Sequence, residues 1–151
     1  MAVQRIHDPH DAVGGIEVTD SDGDQLTVQG RFGEGRDGVL LAGTSDSYQH
    51  HIPVSVPLAE SIALNEKLGE FITHQCNDVD MPVPVHYSFT DADGNVVMVV
   101  SRHACDSGGV YFCFYSRGGT RCVPVAVDIR DLGVVHGKLI RVIEEQQEAG
   151  E

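Results

Sequence analysis

The sequence predicts an α+β protein built from two copies of one ββββα unit, joined in a single pseudo-twofold domain with helices packed on antiparallel sheets. Two observations carry this prediction. The chain resembles itself at a constant offset of 71 residues, so that residues 16–72 align with residues 87–143 without a gap, and fixed-period self-similarity is typical of repeated structural units. Within each copy, four β-type segments separated by turn residues precede one helical segment.

The repeat rests on identical residues at 15 of the 57 aligned positions. Its clearest part is "TDSDGDQLTVQGR" (residues 19–31), which matches "TDADGNVVMVVSR" (residues 90–102). The spaced aspartates resemble a calcium loop, but an EF-hand requires glycine at position 6 and glutamate at position 12. Counted from Asp20 or Asp91, the glycine stands at position 4 and an arginine at position 12. We therefore expect hairpins here and no calcium site.

Each copy opens with a hairpin and continues through two further strands. Asp22-Gly23 and Asp93-Gly94 are expected to be two-residue turns in which both central residues adopt positive φ. A Gly-rich and charged loop follows, then an apolar strand, "GVLLAGT" or "GVYFCFYS". The fourth strand, "IPVSV" or "VPVAV", contains a proline, which cannot donate to a sheet ladder. This proline predicts an edge strand, a strand start or a bulge.

A helix closes each copy, and its apolar residues recur at helical spacing. The predicted apolar stripes are Leu58, Ile62, Leu68 and Ile72 in the first copy, and Ile129, Leu132, Leu139 and Ile143 in the second. The remaining segments are assigned to an N-terminal arm (residues 1–15), a linker (residues 73–86) and an acidic tail (residues 144–151). No stretch of 18 apolar residues and no apolar signal-peptide core is present, so we expect a cytoplasmic protein without a membrane span.

This order of elements resembles that of Whirly and PUR-repeat proteins, which also use tandem ββββα units and bind single-stranded nucleic acid. The resemblance covers residues 16–143 and concerns the layout alone, since no family motif is matched. The lysine-rich strand associated with Whirly proteins is missing, because Lys67 and Lys138 are the lysines of the chain. Layout alone does not carry function.

The net charge of −13 argues against a general nucleic-acid binder, whose affinity comes largely from neutralising phosphates. The charge is unevenly distributed. The first copy holds ten acids and three bases, whereas the second holds five acids and six bases. The two copies have therefore diverged in charge while keeping a common apolar frame, as expected when one copy carries a contact surface.

The segment "GVYFCFYSRGGTRCVPV" is the most distinctive candidate site. Strand alternation separates Tyr111 and Tyr115 from Phe112 and Phe114, which we expect in the core. With Gly118-Gly119 as a two-residue turn, Tyr115 would pair with Cys122. Aromatic rings beside arginines can stack bases and hold phosphates, and the alternative interpretation is that the tyrosines merely cover an open sheet face. The candidate ligand-binding residues are Tyr111, Tyr115, Arg117 and Arg121.

The cysteines and histidines predict no cofactor and no metal site. Four cysteines occur without a C-x-x-C pair, and we expect free thiols in a cytoplasmic protein. Cys113 and Cys122 are predicted diagonal neighbours on one sheet face. None of the eight histidines recurs at its equivalent position, so their expected effect is a pH-sensitive surface charge.

We expect a non-enzymatic, acidic binding or regulatory protein that acts through protein–protein contact. It would occupy a basic surface of its partner, as an inhibitor or nucleic-acid mimic does, with electrostatic steering of association. Glu60, Glu66 and Glu70 on the first helix are the candidate partner-binding residues. The alternatives are a single-stranded nucleic-acid or nucleotide binder and a structural component of an assembly. Eight arginines against two lysines are typical of a GC-rich bacterial or phage genome.

Overall fold

The computed structural model describes residues 2–5, 15–30, 38–45, 47, 49–76, 85–101 and 109–149. Side chains are described for these residues except 2–5, 74–76 and 149. All structural statements below concern this part of the chain.

Two antiparallel sheets, each followed by a helix, confirm the predicted α+β fold with two ββββα units. The first sheet has the order β1-β2-β3-β4-β5 and the second the order β6-β7-β8-β9. The elements are β1 (Ala2–Arg5), β2 (Gly15–Thr19), β3 (Gln25–Gly30), β4 (Val39–Ser45), β5 (His50–Val56), α1 (Leu58–Cys76), β6 (His86–Thr90), β7 (Val96–Ser101), β8 (Val110–Tyr115), β9 (Cys122–Val127) and α2 (Ile129–Ala149).

The segments outside the repeats contribute to the elements around them. Ala2–Arg5, in the expected N-terminal arm, form β1 and pair antiparallel with β2. Helix α1 extends into the expected linker and ends at Cys76, and residues 77–84 lie outside the described residues. The expected acidic tail instead carries α2 on to Ala149. The first sheet therefore has one strand more than the second.

The two halves are intertwined. Helix α1 contacts β6 of the second half, α2 contacts β2 and β3 of the first half, and the two helices pack against each other. Strands β4 and β5 also contact β8 and β9. One continuous hydrophobic core results, with residues from both sheets and both helices. Neither half covers its own sheet alone, which makes the chain one cooperative body.

The inner faces of both sheets are apolar and alternate with outward residues, as strand periodicity requires. Leu68 and Leu139, at equivalent positions of the two helices, are both fully buried, as predicted. In α1 the most buried positions are Leu64, Leu68 and Phe71, whereas the predicted Leu58, Ile62 and Ile72 are only half-buried. The apolar stripe is displaced because α1 packs against α2 and β6.

The hairpin turns differ from the prediction. In the first, the Asp20 N–H donates to the Asp24 carbonyl (2.9 Å), the Gly23 N–H donates to the Asp20 carbonyl (3.2 Å), and Gly23 has φ +87°. Neither Asp22 nor its equivalent Asp93 has positive φ. The loops are therefore three residues long, each with a left-handed glycine last. The aspartate before the glycine was assigned the wrong conformation because the loop contains one residue more than predicted.

Asp20 and Asp91 connect each turn to the opposite half of the molecule. Asp20 Oδ1 accepts hydrogen bonds from the backbone N–H groups of Asp22 (2.9 Å) and Asp24 (3.0 Å), and its Oδ2 accepts from the Ala126 N–H of β9 (3.1 Å). Asp91 repeats the pattern, with bonds from its own turn and from the Ser55 N–H of β5 (3.2 Å). Both carboxylates are at least nine-tenths buried. Each therefore satisfies its own turn and clamps the other half.

The chain also crosses between halves at Gly38, which opens β4. The Gly38 N–H donates to Gln146 Oε1, and Gln146 Nε2 donates to the Gly38 carbonyl (2.7 Å). Gly38 has φ +111°, and a Cβ there would collide with the Val56 carbonyl oxygen. Gly109 repeats this constraint against Val127. The buried glutamine thus anchors the end of α2 to the first sheet.

We predict that Asp20→Ala and Asp91→Ala each destabilise the protein by about 2–4 kcal/mol, because three backbone donors lose a charged acceptor in a buried setting. Urea unfolding monitored by circular dichroism measures the effect. Asp22→Ala, at an exposed turn position, is the matched control and should change stability by less than about 0.5 kcal/mol. Equal effects at Asp20 and Asp22 would contradict the clamp.

We expect that replacing Asp24 with asparagine stabilises the protein. Its equivalent Asn95 donates from Nδ2 to the Pro53 carbonyl of the opposite half (3.0 Å), whereas an ionised Asp24 has no donor for the equivalent Pro124 carbonyl. Burial, with the nearby Asp20 carboxylate, raises the pKa of Asp24 above its ordinary 3.8. Asp24→Asn should therefore stabilise the fold by about 0.5–1.5 kcal/mol at pH 7, and the reverse change Asn95→Asp should destabilise it.

The pH dependence supplies an independent check on Asp24. A raised pKa in the folded state means that protonation of Asp24 favours folding, fully below pH 3.8 and no longer once the pH has risen through the raised value. The advantage of Asp24→Asn should accordingly be larger at pH 7 than at pH 4, as measured by urea unfolding of both proteins. An advantage that is equal at both pH values would exclude a charge-based cause.

Candidate functional site

The outward side of the second sheet, here called the second outer face, bears no Asp, Glu, Lys or Arg among its strand residues. Its residues are half-buried or exposed and alternate with the buried inner face. They form three cross-strand rows: His86–Val100–Tyr111–Ala126, Ser88–Met98–Cys113–Pro124 and Thr90–Val96–Tyr115–Cys122. A chain of net charge −13 therefore presents one broad uncharged surface in which two aromatic rings lie among aliphatic and sulfur-containing side chains.

The equivalent first outer face serves as an internal reference because the same backbone carries it. Its rows are Gly15–Gln29–Leu40–Ser55, Glu17–Thr27–Ala42–Pro53 and Thr19–Gln25–Thr44–His51. Thr44 Oγ1 and His51 Nδ1 form a cross-strand hydrogen bond (2.9 Å) at the position that Tyr115 and Cys122 occupy in the second sheet. The first face thus carries more polar side chains than the second, although its residues Gly15 and Ala42 are buried. The second has exchanged glutamine and threonine for valine, methionine and tyrosine.

The inner faces of the two sheets also differ at a pair of equivalent positions. Phe112 and Phe114 are fully buried in the core, where the sequence analysis expected them. At the position equivalent to Phe114 the first copy has Gly43, and a Cβ on Gly43 would collide with the Phe114 ring. The glycine therefore makes room for the phenylalanine across the interface between the halves.

The β8–β9 hairpin places two arginines at one end of the second outer face. Tyr115 pairs with Cys122 as predicted, but the turn is longer than Gly118-Gly119. The Gly119 N–H donates to the Ser116 carbonyl (2.7 Å), so Arg117 and Gly118 are the central residues of the tight turn. On the far side of the turn, the Arg121 N–H donates to Ser116 Oγ (3.0 Å).

Arg117 is held in place at its backbone and along its stem. Its N–H donates to Asn95 Oδ1 (3.1 Å), and its aliphatic atoms lie over Gly94, where a Cβ would stand 3.0 Å from Arg117 Cγ. Arg117 and Arg121 are both exposed. Tyr111 and Tyr115 thus share the second outer face but lie at opposite ends of β8, and Arg117 and Arg121 lie in the turn region next to Tyr115.

Two free thiols lie within the second outer face. Cys113 is half-buried and Cys122 is exposed, and the register makes them diagonal neighbours, as predicted. Burial, followed by the nearby Cys122, raises the pKa of Cys113. Burial and the two thiols likewise raise the pKa of Tyr115. Both groups are therefore neutral at physiological pH, which preserves the uncharged character of the face.

The candidate partner-binding glutamates of α1 fall into two environments. Glu66 and Glu70 are exposed and one helical turn apart. Glu60 is half-buried, and its Oε1 accepts a hydrogen bond from the Tyr87 hydroxyl (3.0 Å). Burial and this bond to Glu60 raise the pKa of Tyr87. Glu60 therefore makes a structural contact with Tyr87, which the sequence pattern did not indicate.

His136 differs from the surface role expected for the histidines. It stands at the position equivalent to Asn65, and its ring lies 3.0 Å from a Cβ built on Gly69, within the contact of the two helices. Burial there lowers the pKa of His136. Within the ranges that the structure describes, no group of three or more His, Cys, Asp or Glu residues is placed to share a metal ion.

Neither described helix combines the length and apolar character that crossing a membrane requires. No family model and no curated protein matches the chain. The internal comparison between its two halves is therefore the guide to where its surface has specialised.

Proposed function

We propose that this chain is a non-enzymatic binding protein that acts through protein–protein contact, and that the second outer face is its contact surface. The single observation that carries the proposal is the difference between two equivalent sheet faces. Gln25, Thr27 and Gln29 of β3 are replaced at the equivalent positions of β7 by valine, methionine and valine. Apolar residues on an outward face do not stabilise the intertwined core, so a contact outside the chain accounts for them best.

The composition of the face favours a protein partner. Aromatic residues, methionine and arginine are enriched at the centres of protein interfaces, whereas lysine and acidic residues are depleted there. Tyr111, Tyr115 and Met98 supply the first two types, and Arg117 stands at the margin. A tyrosine beside smaller apolar groups is a typical energetic hot spot, and Tyr111 and Tyr115 stand on either side of the central row that holds Met98.

The size of the face favours a transient contact. Four strands spaced about 4.8 Å apart and about 17–20 Å long present roughly 300–400 Å² of flat area. A stable interface of standard size uses about 800 Å² on each partner. A regulatory partner that binds and dissociates suits this area better than an obligate subunit.

Net charge sets the kind of partner. Exposed acids elsewhere on the chain, such as Asp22, Glu66 and Glu70, contribute to the net charge of −13 and attract a basic protein over about a Debye length. We therefore propose a partner with an apolar patch bordered by basic residues. This chain would act as an inhibitor or nucleic-acid mimic, because its exposed acids would lie against the basic residues of the partner while the second outer face covers the apolar patch.

The test uses the two halves as each other's control. A photo-crosslinking amino acid is placed at Met98 in the second outer face or at its equivalent Thr27 in the first, and crosslinked proteins from the native host are identified by mass spectrometry. The proposal predicts one partner crosslinked from position 98 and absent from position 27.

Affinity for that purified partner then tests the face directly. Met98→Thr, Val100→Gln and Tyr115→Thr install the residues that the first copy already carries, which the fold therefore tolerates. Tyr115→Thr should weaken binding by about 2 kcal/mol, roughly 30-fold, as expected for an aromatic hot-spot residue. Thr27→Met should leave binding unchanged. Crosslinks of equal yield from both faces, or unchanged affinity in all three variants, would refute the proposal.

The arrangement of Tyr111, Tyr115, Arg117 and Arg121 supports a second candidate function, the binding of single-stranded nucleic acid or a nucleotide. The tandem layout is also shared with Whirly and PUR-repeat proteins, which bind single strands. Tyrosine rings can stack bases while arginines at the margin contact phosphates. The net charge of −13 opposes this function.

An oligonucleotide and nucleotide panel at low salt decides between the candidates. If this second function holds, one member binds, its affinity falls with added salt, and Tyr115→Ala costs about 1–3 kcal/mol. Arg117→Ala should reduce the salt dependence through loss of one phosphate contact. The leading proposal predicts no binding across the panel.

A further inference from the structure

Strand β6 leaves one edge of the second sheet open, whereas its equivalent in the first sheet is covered. Strand β1 pairs along the outer edge of β2 with the register Ala2↔Thr19, Val3↔Val18, Gln4↔Glu17 and Arg5↔Ile16. Among the described residues, no strand pairs with the same edge of β6, which is the first strand in the order of its sheet. The β1–β2 pair in the first half therefore shows the register in which an added strand would pair with the equivalent edge of β6.

The hydrogen-bond alternation identifies the open groups. Asp91 N–H donates to the Asn95 carbonyl (2.9 Å) and Ser101 N–H donates to the Val85 carbonyl (3.1 Å), so odd-numbered residues of this strand bond towards β7. The backbone groups of the even-numbered residues consequently point to the edge. Lys67 Nζ reaches the His86 carbonyl (3.3 Å). The N–H and C=O groups of Ser88 and Thr90 are left without a partner strand among the described residues. These two residues stand at the positions equivalent to Glu17 and Thr19, which pair with β1.

The sequence of β6 lacks the usual protections against strand addition, although Lys67 of α1 occupies the His86 carbonyl at one end of the edge. Natural edge strands carry lysine, proline, an inward charge or a bulge. Strand β6 reads "HYSFT" and contains none of the charged residues or proline, and its pairing with β7 is regular over all five residues. The edges at β5 and β9 each contain a proline, by contrast. The β6 edge is thus the one among these three that is built to accept a ladder.

We propose that the β6 edge binds an extended peptide segment of a partner protein, which adds as an antiparallel strand in the register that β1 adopts on β2. Two local features define the segment. Phe89 is half-buried, so the paired residue is apolar. Tyr87 bonds through its hydroxyl to Glu60 Oε1 (3.0 Å), so a basic residue paired with Tyr87 lies beside a carboxylate. Ser88 and Thr90 also contribute side chains to the second outer face, but the edge binds through their backbone groups, so Ser88→Pro and Tyr115→Thr test the two proposals separately.

The test follows amide signals of the ¹⁵N-labelled full chain by NMR while a synthetic peptide, acetyl-MAVQRI-amide, is added. This peptide carries the β1 sequence and places valine opposite Phe89 and arginine opposite Tyr87 in the proposed register. We expect saturable shifts at the Ser88 and Thr90 amides. Glu60→Gln should weaken the peptide about twofold to fivefold, as the loss of a partly exposed ion pair predicts.

Ser88→Pro is the decisive variant. It removes an edge-facing N–H and leaves the β6–β7 ladder complete, because Ser88 does not bond to β7; Thr90→Pro serves if that variant fails to fold. We expect the peptide shifts to disappear in the proline variant and to persist in Tyr115→Thr, which alters only the second outer face. A peptide with proline in place of its glutamine, whose N–H would enter the ladder, should not bind.

Three results would overturn the proposal. Shifts that survive Ser88→Pro would place the peptide elsewhere, and no shifts up to several millimolar peptide would show that the edge is closed. The third is a concentration-dependent dimer, seen by sedimentation and lost in Ser88→Pro, which would assign the edge to a second copy of this chain.

Discussion

The fold depends on one carboxylate in each half that performs two tasks. Asp20 and Asp91 each satisfy the backbone donors of their own hairpin turn with one oxygen and bind a strand of the opposite half with the other. A buried carboxylate is costly unless it is fully hydrogen-bonded, so the turn and the crossing contact stabilise each other. This coupling explains why the halves do not behave as separate modules, and the exchange of helices between the sheets has the same consequence.

This interdependence constrains the inner surfaces and leaves the outer ones free to diverge. The equivalent pair Gly43 and Phe114 shows how strict the interior is, because the larger ring fits only where its equivalent has no side chain. The outer faces bear no such restriction. One has kept a polar character, with Thr44 bonded to His51, while the other has become apolar and aromatic. Comparison of the two halves thus separates the positions that the fold constrains from those that differ between equivalent outer surfaces.

Charge follows the same division. The strands of the second outer face bear no Asp, Glu, Lys or Arg, and burial raises the pKa of Cys113 and of Tyr115, two groups that are already neutral near pH 7. Exposed acids lie elsewhere, on turns and helix surfaces, as Asp22, Glu66 and Glu70 do, and the proposed basic partner would be attracted by them without meeting them in the contact surface. At the edge of the same sheet, Glu60 is positioned by Tyr87 beside an open strand. Steering, apolar contact and strand addition therefore involve different groups, and a partner could use them in combination.

The sequence by itself determined the repeat, the element order and the sorting of aromatic residues, because all three follow from periodicity along the chain. The 71-residue offset placed Leu68 and Leu139 at equivalent buried positions, and strand alternation separated Tyr115 from Phe114. The candidate residues of the β8–β9 hairpin were chosen from the same alternation and stay a prediction. The difference between the two outer faces became visible only with the cross-strand register.

Only the tertiary structure decided how the halves meet. Local rules predicted two-residue turns, yet the loops contain three residues because the aspartate before each loop bonds to both its own turn and the other half. The buried stripe of α1 shifted to Leu64 and Phe71 because α1 packs against the other half, which its own spacing does not encode. Strand β1 was missed because its four residues form a strand only by pairing with an edge 11 to 17 residues away along the chain. Periodicity reports which side of an element is apolar, whereas the partner that covers that side is set by contacts far apart in sequence.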